Sequence, residues 1–316
     1  MRIKKTFDAA SLAKIVISNG LSNNAQASRF SRHSNLNLLQ LLINKFGAAR
    51  GTDLAEYMIS KTEQSVTADS IQAANTYQVL VYFAAASLAS LDPSTAVLVQ
   101  CLLDGLKHPQ LGRKIAQSFR LLLAPSNIIS KENSCIVRPL RKGRLYQLAV
   151  IPLTTSWRTS EDFAVKQNAL IALTGVLAFL EPSMLADNAK ELIPVLLEGT
   201  NIQGDQFAKN ACIKSILELI PLAPKLISEH IAAVIERMTD RTRYTYGSPS
   251  DSNVNGRAMA LEVLMKLTDI VDKSILLKRK AGLMNELNYA LEDTSYEVRS
   301  KAEKCKMAWF NLTDAE

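Results

Sequence analysis

Apolar residues recur at helical spacing along the C-terminal half of the chain. Between Phe207 and Ile220 they fall three or four positions apart, which places them on one face of a half-buried helix. Pro221 and Pro224 are predicted to end this helix, because proline removes an N–H donor and clashes with the preceding turn. A second apolar stripe comprises Ile227, Ile231, Val234, Ile235 and Met238. It predicts a second helix that packs against the first.

The same pattern recurs, and one alanine marks the matching position of each copy. These alanines are Ala169, Ala211, Ala258 and Ala302, and the intervals between them are 42, 47 and 44 residues. Repeats of about 40–47 residues with two helices each are typical of HEAT and armadillo proteins. Neither helix of a pair can bury its stripe alone, whereas stacked pairs can. We therefore predict an all-α, HEAT/armadillo-like superhelical solenoid of antiparallel helix pairs.

The pattern is less regular toward the N-terminus. A helical pair joined at Asp92–Pro93 is predicted after residue 70, and the next helix begins near Pro109. We assign residues 1–70 to a less regular N-terminal helical segment and residues 71–316 to the HEAT-repeat array. Because no distinctive polar cap precedes the first helices, we expect the array to be the C-terminal end of a longer solenoid.

Two stretches interrupt the repeats. Asp240–Gly256 is rich in Gly, Ser, Asn and Asp and predicts a loop. Lys131–Arg144 contains Pro139 and Gly143 and separates two helical segments. Loops on solenoids are frequent contact sites, but many are only tolerated insertions, so both interpretations stay open here.

Composition and charge narrow the possible functions. The chain is 47% hydrophobic and 6% aromatic, which favours a folded protein of helices packed on helices. Its formal net charge of +7 is spread along the sequence and fits nucleic acid, an acidic partner or a solvated surface. The four cysteines are far apart in sequence: Cys101, Cys135, Cys212 and Cys305. We expect buried thiols in a reducing compartment, not disulfides or a zinc module.

Sequence motifs for catalysis are missing. There is no Gly-x-Ser-x-Gly, no phosphate-binding Gly-x-x-x-x-Gly-Lys and no pair of histidines at helical spacing. Glu292 and Asp293 are predicted to end one helix and cap the next. The apolar patch Leu12–Ile17 is too short to cross a membrane. We therefore expect a binding protein of the cytoplasm and nucleus, with no enzymatic activity, no cofactor, no metal and no membrane association.

The densest positive run lies at the end of the second interruption. It comprises Arg138, Arg141, Lys142 and Arg144, with Tyr146 nearby. Arginine pairs bidentately with carboxylates or phosphates, so an acidic protein partner is one interpretation. Nucleic acid is a second, although aromatic residues are few there. The third is that these charges cap a helix C-terminus and flank a turn.

Two further features have both a structural and a binding interpretation. Lys278–Lys280 is a weaker basic set, for which we favour a solvated helix face. Trp309, near the chain end, is predicted to close the core of the terminal repeat. An anchor for a partner is the alternative for Trp309.

Three segments, in order, resemble a known family. They are Ser130–Thr155, Ala189–Thr200 and Leu291–Phe310, the last of which contains Val298–Arg299 followed by Ala302 and Trp309. Together they resemble the C-terminal HEAT-repeat domain of the methyl-methanesulfonate-sensitivity protein nineteen family, the large adaptor of cytosolic iron–sulfur protein assembly. The resemblance covers most of residues 70–316.

The resemblance implies a non-enzymatic adaptor. It implies that the domain docks onto a small DUF59-type protein and a WD40 propeller of the targeting complex, where iron–sulfur client proteins such as DNA helicases, polymerases and primase receive clusters. The candidate partner-binding residues are Arg138, Arg141, Lys142, Arg144, Tyr146 and Arg299. Arg141 and Gly143 depart from the family's residue types, and Thr294–Tyr296 replaces the basic residues usual before Val298.

Two alternatives stay open from the residues alone. The repeat period also fits a nuclear transport receptor or a phosphatase-regulatory solenoid, although transport receptors usually carry an acidic balance. Direct DNA binding through Arg138–Arg144 would fall steeply with added salt. Because aromatic residues are few in this run, we expect no direct nucleic-acid contact.

Overall fold

The computed structural model describes residues 9–21, 29–65, 70–244 and 253–313. Within these ranges the regular elements are all helical and no strand occurs, as the apolar spacing predicts. The chain divides into two compact units, Met1–Phe179 and Leu180–Glu316, called here the first and second unit. The boundary after residue 70 stays a prediction.

The first unit contains eight α-helices among its described residues. They are α1 (Ala9–Leu21), α2 (Arg29–Ser65), α3 (Ser70–Ser90), α4 (Thr95–Gly105), α5 (Gly112–Ser118), α6 (Arg141–Leu145), α7 (Ile151–Thr159) and α8 (Phe163–Leu177). A 3₁₀ turn, Phe119–Leu122, extends α5, and a π-helical stretch, Tyr146–Val150, joins α6 to α7. The chain therefore runs helically from Arg141 to Thr159.

Helix α3 lies at the centre of the first unit and packs against α1, α2 and α4. It is joined to α4 at the predicted position, where Leu91 has a φ of 61° and the Asp92 carboxylate accepts a hydrogen bond from Ser94 N at 2.9 Å. Further along, the buried Asn168 of α8 donates to Leu106 O at 2.9 Å. A side chain at Gly112 would collide with that same carbonyl, so this close approach requires glycine.

The second unit contains eight more α-helices among its described residues. They are α9 (Pro182–Asp187), α10 (Ala189–Gly199), α11 (Gln206–Leu222), α12 (Pro224–Glu229), α13 (Ile231–Thr242), α14 (Val254–Ile270), α15 (Lys273–Leu291) and α16 (Tyr296–Phe310). Helix α14 packs against α11, α13 and α16, and α15 packs against α16. These contacts between successive pairs bury the apolar stripes.

The predicted repeat positions are confirmed. The four marker alanines lie in α8, α11, α14 and α16, and each is at most 8% exposed. The stripe from Ile227 to Met238 is also buried, but it belongs to two helices, because the chain bends at His230. A similar bend at Asn188 separates α9 from α10. Helix α11 continues through Pro221 to Leu222, and the next amide, Ala223 N, still bonds to Leu219 O at 2.8 Å.

A buried ion pair connects the last two repeats. Arg257 of α14 donates to both carboxylate oxygens of Asp293, with Nε–Oδ2 at 2.6 Å and Nη2–Oδ1 at 3.1 Å. Glu292 ends α15, as predicted. Asp293 follows it in the turn and accepts from Ser295 N at 2.8 Å. The N-cap of α16 is Ser295, so the predicted capping role of Asp293 is wrong. The pairing with Arg257 is an additional role that the sequence did not predict.

Trp309 closes the core of the last described repeat, as predicted. Its ring is fully buried, and Nε1 donates to Leu264 O at 2.9 Å. The adjacent Phe310 is 63% exposed, so only one of the two aromatic rings closes the core. Of the predicted loop Asp240–Gly256, both ends are helical, since α13 runs to Thr242 and α14 starts at Val254. Residues 245–252 lie outside the described residues.

Candidate partner-binding site

The irregular segment before the basic run is fixed to the helices of the first unit. The buried Asn44 of α2 donates from Nδ2 to Ile136 O at 2.8 Å and accepts at Oδ1 from Ile136 N at 2.7 Å. Two residues later, Arg138 N donates to Ala89 O, near the end of α3, at 2.8 Å. Both anchors use main-chain groups of the segment, so its side chains stay available for other contacts.

The segment also has an internal turn. Asn133 donates from Nδ2 to Asn127 O and Ile128 O, each at 2.9 Å. Ser134 adopts a positive φ of 56°, and Cys135 N then bonds to Ser130 O at 3.0 Å. The Cys135 side chain is 8% exposed. Segment 130–138 is therefore a fixed turn that delivers the chain to the start of α6.

The basic residues lie at the start of a helix, not at its end. Arg141 and Lys142 are the first residues of α6, and Arg144 follows in the same turn. The N-terminus of a helix carries partial positive charge, so cations there are electrostatically unfavourable. The residues flank the turn at 139–140, as one interpretation predicts, but they do not cap a helix C-terminus, because the helical run continues to Thr159. Their positions do not stabilise the helix that carries them.

The arginines of this run have no acidic partner in the described part of the chain. Arg138, Arg141 and Arg144 form no ion pair there, and Arg138 and Arg144 are exposed. Burial lowers the pKa of the half-buried Arg141 guanidinium, which nevertheless stays charged near neutral pH. Lys142 and Tyr146 are half-buried and make contacts within the protein. The three arginines thus present positive charge that no carboxylate of the described residues pairs with.

An apolar groove lies beside these charges. It has a volume of about 580 Å³, and its walls come from the turn after α3 and from the start of α6. Leu140, between the arginines, is 75% exposed at this groove. The groove also contacts Arg144 and Gln147. We call Arg138–Gln147 together with this groove the basic groove.

The sixth candidate residue, Arg299, lies in the second unit. Its Nη1 donates to the main-chain carbonyls of Asp293 and Thr294, at 2.7 and 3.1 Å. The guanidinium also lies 6.0 Å from the centre of the Tyr296 ring. Arg299 therefore satisfies carbonyls at the turn before α16. The other five candidates lie between residues 138 and 146, along one turn and the helical run that follows it in the first unit.

Two features of this site were not predicted: the exposure of Leu140, and the anchoring role of Asn44, which lies outside the basic groove. Leu140 belongs to the family-like run, but its exposure follows from the path of the turn and not from any periodicity. Asn44 is 92 residues away from Ile136 in sequence, and an isolated buried asparagine gives no local signal. Only the packing of α2 against α3 reveals that it holds the turn.

Reactive groups are few in the described part of the chain. It holds no group of three or more His, Cys, Asp or Glu that could bind a metal ion. All four cysteines are free thiols. Burial raises the pKa of Cys305 to about 12 and also raises the pKa of Cys212, so both stay protonated. None of the described helices is long and apolar enough to cross a membrane.

Comparison with known proteins agrees with the resemblance. The family described as "RNAPII transcription regulator C-terminal" matches residues 2–268. The "MMS19 nucleotide excision repair protein homolog" of Arabidopsis thaliana is 22% identical over 230 residues, which are 69% of this chain and 20% of that protein. The homolog of the same name from Xenopus tropicalis is 26% identical over 234 residues, 74% of this chain and 22% of the relative. The chain thus spans about a fifth of these relatives.

Solved structures agree on the fold. A designed armadillo repeat protein matches with a TM-score of 0.51 at 13% identity, over 80% of this chain and 99% of the designed one. Identity this low supports the fold class alone, and the architecture is of the armadillo/HEAT type. Because the family match extends over most of the residues, the chain belongs to the MMS19 family and corresponds to the C-terminal part of its members.

Proposed function

We propose that this chain is a non-enzymatic adaptor of the cytosolic iron–sulfur targeting complex. In this proposal it docks a DUF59-type subunit and a WD40-propeller subunit, and it helps to present iron–sulfur client proteins to them, in the cytoplasm and the nucleus. Membership in the MMS19 family supports the proposal. The name of the Arabidopsis relative, a nucleotide excision repair protein homolog, and the description of the family, a transcription regulator, favour clients that act on DNA.

The basic groove is the observation that carries this proposal. Its arginines lack acidic partners among the described residues, and they lie where the helix dipole disfavours them. Such an arrangement weakens the free protein slightly and is compensated when a carboxylate binds. Arginine and an exposed apolar side chain side by side are also the composition of interface hot spots. We therefore assign the docking of an acidic protein surface to the basic groove.

The chemistry of the remaining residues supports binding over catalysis. The buried thiols are protonated and hence poor nucleophiles and poor metal ligands. Repeat arrays supply extended surfaces on which other proteins assemble. An adaptor of this kind holds its partners without itself carrying a cluster.

Co-purification tests the proposal. The full chain is mixed with the purified DUF59-type subunit, with the propeller subunit and with both, at two salt concentrations. We expect a stable complex with at least one of them. Two further mixtures, with duplex DNA and with the small GTPase of nuclear transport, test the alternatives. Failure to bind either targeting subunit, together with capture of DNA or of the GTPase, would replace the adaptor proposal with the corresponding alternative.

A further inference from the structure

A polar pocket of about 220 Å³ lies in the second unit, and none of the six candidate partner-binding residues lines it. It opens between the first turns of α11 and α14 and the last turn of α13. Its charged lining residues are Lys209, Asp240, Arg241, Arg243 and Arg257. Four cations thus face a small cavity that a single described carboxylate lines.

Two of the four cations are already paired. Arg257 binds the buried Asp293 through two hydrogen bonds, as described above. Arg243 binds Glu286, with Nη2–Oε2 at 2.7 Å. Neither guanidinium therefore needs a further anion. The other two cations, Lys209 and Arg241, are the unusual ones.

Lys209 is a buried cation without a partner among the described residues. It is 6% exposed and forms no hydrogen bond or ion pair through its ammonium group to any of them. The nearby Asp205 is buried and accepts from Ala208 N at 3.0 Å as the cap of α11. Burial, and then the positive charge of Arg241, lower the pKa of Lys209. Arg241 in turn has a buried Nε without a hydrogen-bond partner in the described structure.

Two neighbouring, unsatisfied cations are costly in an otherwise well-packed protein. A buried charge without a partner destabilises the fold, and two like charges add repulsion. Residues held in such an unfavourable state persist where a ligand makes up the missing interaction. The partial positive charge at the N-termini of α11 and α14 also favours an anion in this pocket.

We propose that this pocket binds a carboxylate from an acidic segment of a partner protein, between Lys209 and Arg241. The pocket's volume fits one side-chain carboxylate. Asp240, which also lines the pocket, repels a phosphate dianion more strongly than a carboxylate, because the repulsion grows with the charge of the ligand. The proposal does not rest on the basic groove, since the two sites belong to different units.

Binding of a glutamate-rich peptide to the full chain tests this proposal. The probes are the peptide, its glutamine counterpart, sodium acetate and inorganic phosphate, each titrated by calorimetry and by its effect on Tm. The variants are Lys209→Met and Arg241→Gln. The matched control is Lys214→Met, an exposed lysine of α11 that pairs with Glu218. Without ligand, Lys209→Met is expected to raise Tm, because it removes a buried unpaired charge.

The expected result is that the glutamate peptide raises the Tm of the wild-type chain and of Lys214→Met, and that its glutamine counterpart does not. The affinity for the glutamate peptide falls by about tenfold or more in Lys209→Met and in Arg241→Gln. Equal affinity in Lys209→Met and Lys214→Met would overturn the proposal. Stabilisation by phosphate but not by the peptide would also overturn it, since the pocket would then hold a free ion. If Lys209→Met fails to fold, the comparison of Arg241→Gln with Lys214→Met decides in the same way.

Discussion

Asn44 and Ile136 form a reciprocal pair of hydrogen bonds, in which one side-chain amide satisfies both main-chain polar groups of a residue 92 positions away. The two distances, 2.8 and 2.7 Å, are those of good hydrogen bonds. The pair fixes the turn that carries the basic groove to the long helix α2. The buried side chain of Asn44 thereby determines the position of the arginines that have no acidic partner.

Asn44→Ala is therefore expected to destabilise the chain. The substitution leaves the N–H and C=O of Ile136 without partners in a partly buried site, at a cost of about 2–3 kcal/mol. Urea unfolding measures this difference. The neighbouring Lys45 is exposed, so Lys45→Ala is the control and should stay within about 0.5 kcal/mol of wild type. Equal stability of the two variants would show that the turn is not held by Asn44.

The buried pair Arg257–Asp293 predicts a larger effect. Asp293→Ala removes the carboxylate that pairs with the buried guanidinium of Arg257, which costs about 3–5 kcal/mol. The exposed pair Arg243–Glu286 supplies the comparison, because Glu286→Ala should cost less than about 1 kcal/mol. Both values come from the midpoint of chemical unfolding. A similar loss in the two variants would contradict the distinction drawn from burial.

The burial of Trp309 predicts that its side chain stabilises the last repeat. Trp309→Ala removes a fully buried ring and its hydrogen bond to Leu264 O, and we expect a loss of about 3–5 kcal/mol. Met307, on the same helix and 56% exposed, gives the control Met307→Ala, with an expected change below about 0.5 kcal/mol. Thermal unfolding followed by circular dichroism measures both. A small effect of Trp309→Ala would mean that the last helix contributes little to the core.

The raised pKa of a buried thiol predicts that the unfolding free energy depends on pH. Burial raises the pKa of Cys305 to about 12, whereas an unfolded cysteine ionises near about 8.5. The unfolded chain therefore releases a proton that the folded chain retains as the pH rises. The contribution of Cys305 to stability is complete below about pH 8.5 and is lost progressively toward pH 12. Cys305→Ala should flatten the fall of the unfolding free energy between these values, and an unchanged slope would contradict the assignment.

The same burial predicts slow chemical labelling. At pH 8 a thiol reagent should leave Cys212 and Cys305 unmodified in the folded chain, and should modify all four cysteines in urea. Mass spectrometry of peptides identifies the labelled positions. Rapid labelling of Cys305 without denaturant would mean that α16 opens readily.

Much of the fold can be predicted from the sequence, because the positions of the helices depend on residues that are close together along the chain. The alanines from Ala169 to Ala302 recur at the repeat period, and each is buried, since a small residue is needed where helices approach closely. The bends at Asn188 and His230 were not predicted. At His230 the apolar stripe continues from Ile227 to Ile231 without interruption, so periodicity carries no signal for the break.

The sites depend on residues that are distant in sequence, which limits what the sequence alone predicts. The basic run can be recognised in the sequence as a cluster of basic residues. Its position at the start of a helix, however, follows from the turn that Asn44 holds. In the sequence, Lys209 cannot be distinguished from an exposed lysine of an amphipathic helix. Its burial results from α13 and α14, which contribute Arg241 and Arg257 from 30 to 50 positions away.

The most direct test of the adaptor role is the affinity of the chain for the assembled DUF59–propeller pair, measured by biolayer interferometry. The double variant Arg141→Glu and Arg144→Glu reverses charge at the start of α6, where acidic residues favour the helix. Because Arg141 is half-buried, the Tm of the variant is measured alongside, and loss of binding counts only with Tm unchanged. The control, Lys278→Glu and Arg279→Glu, reverses two exposed charges on α15. We predict that Kd rises about 30-fold or more in the first variant and less than about threefold in the control. Equal affinities of the two variants would contradict docking through the basic groove.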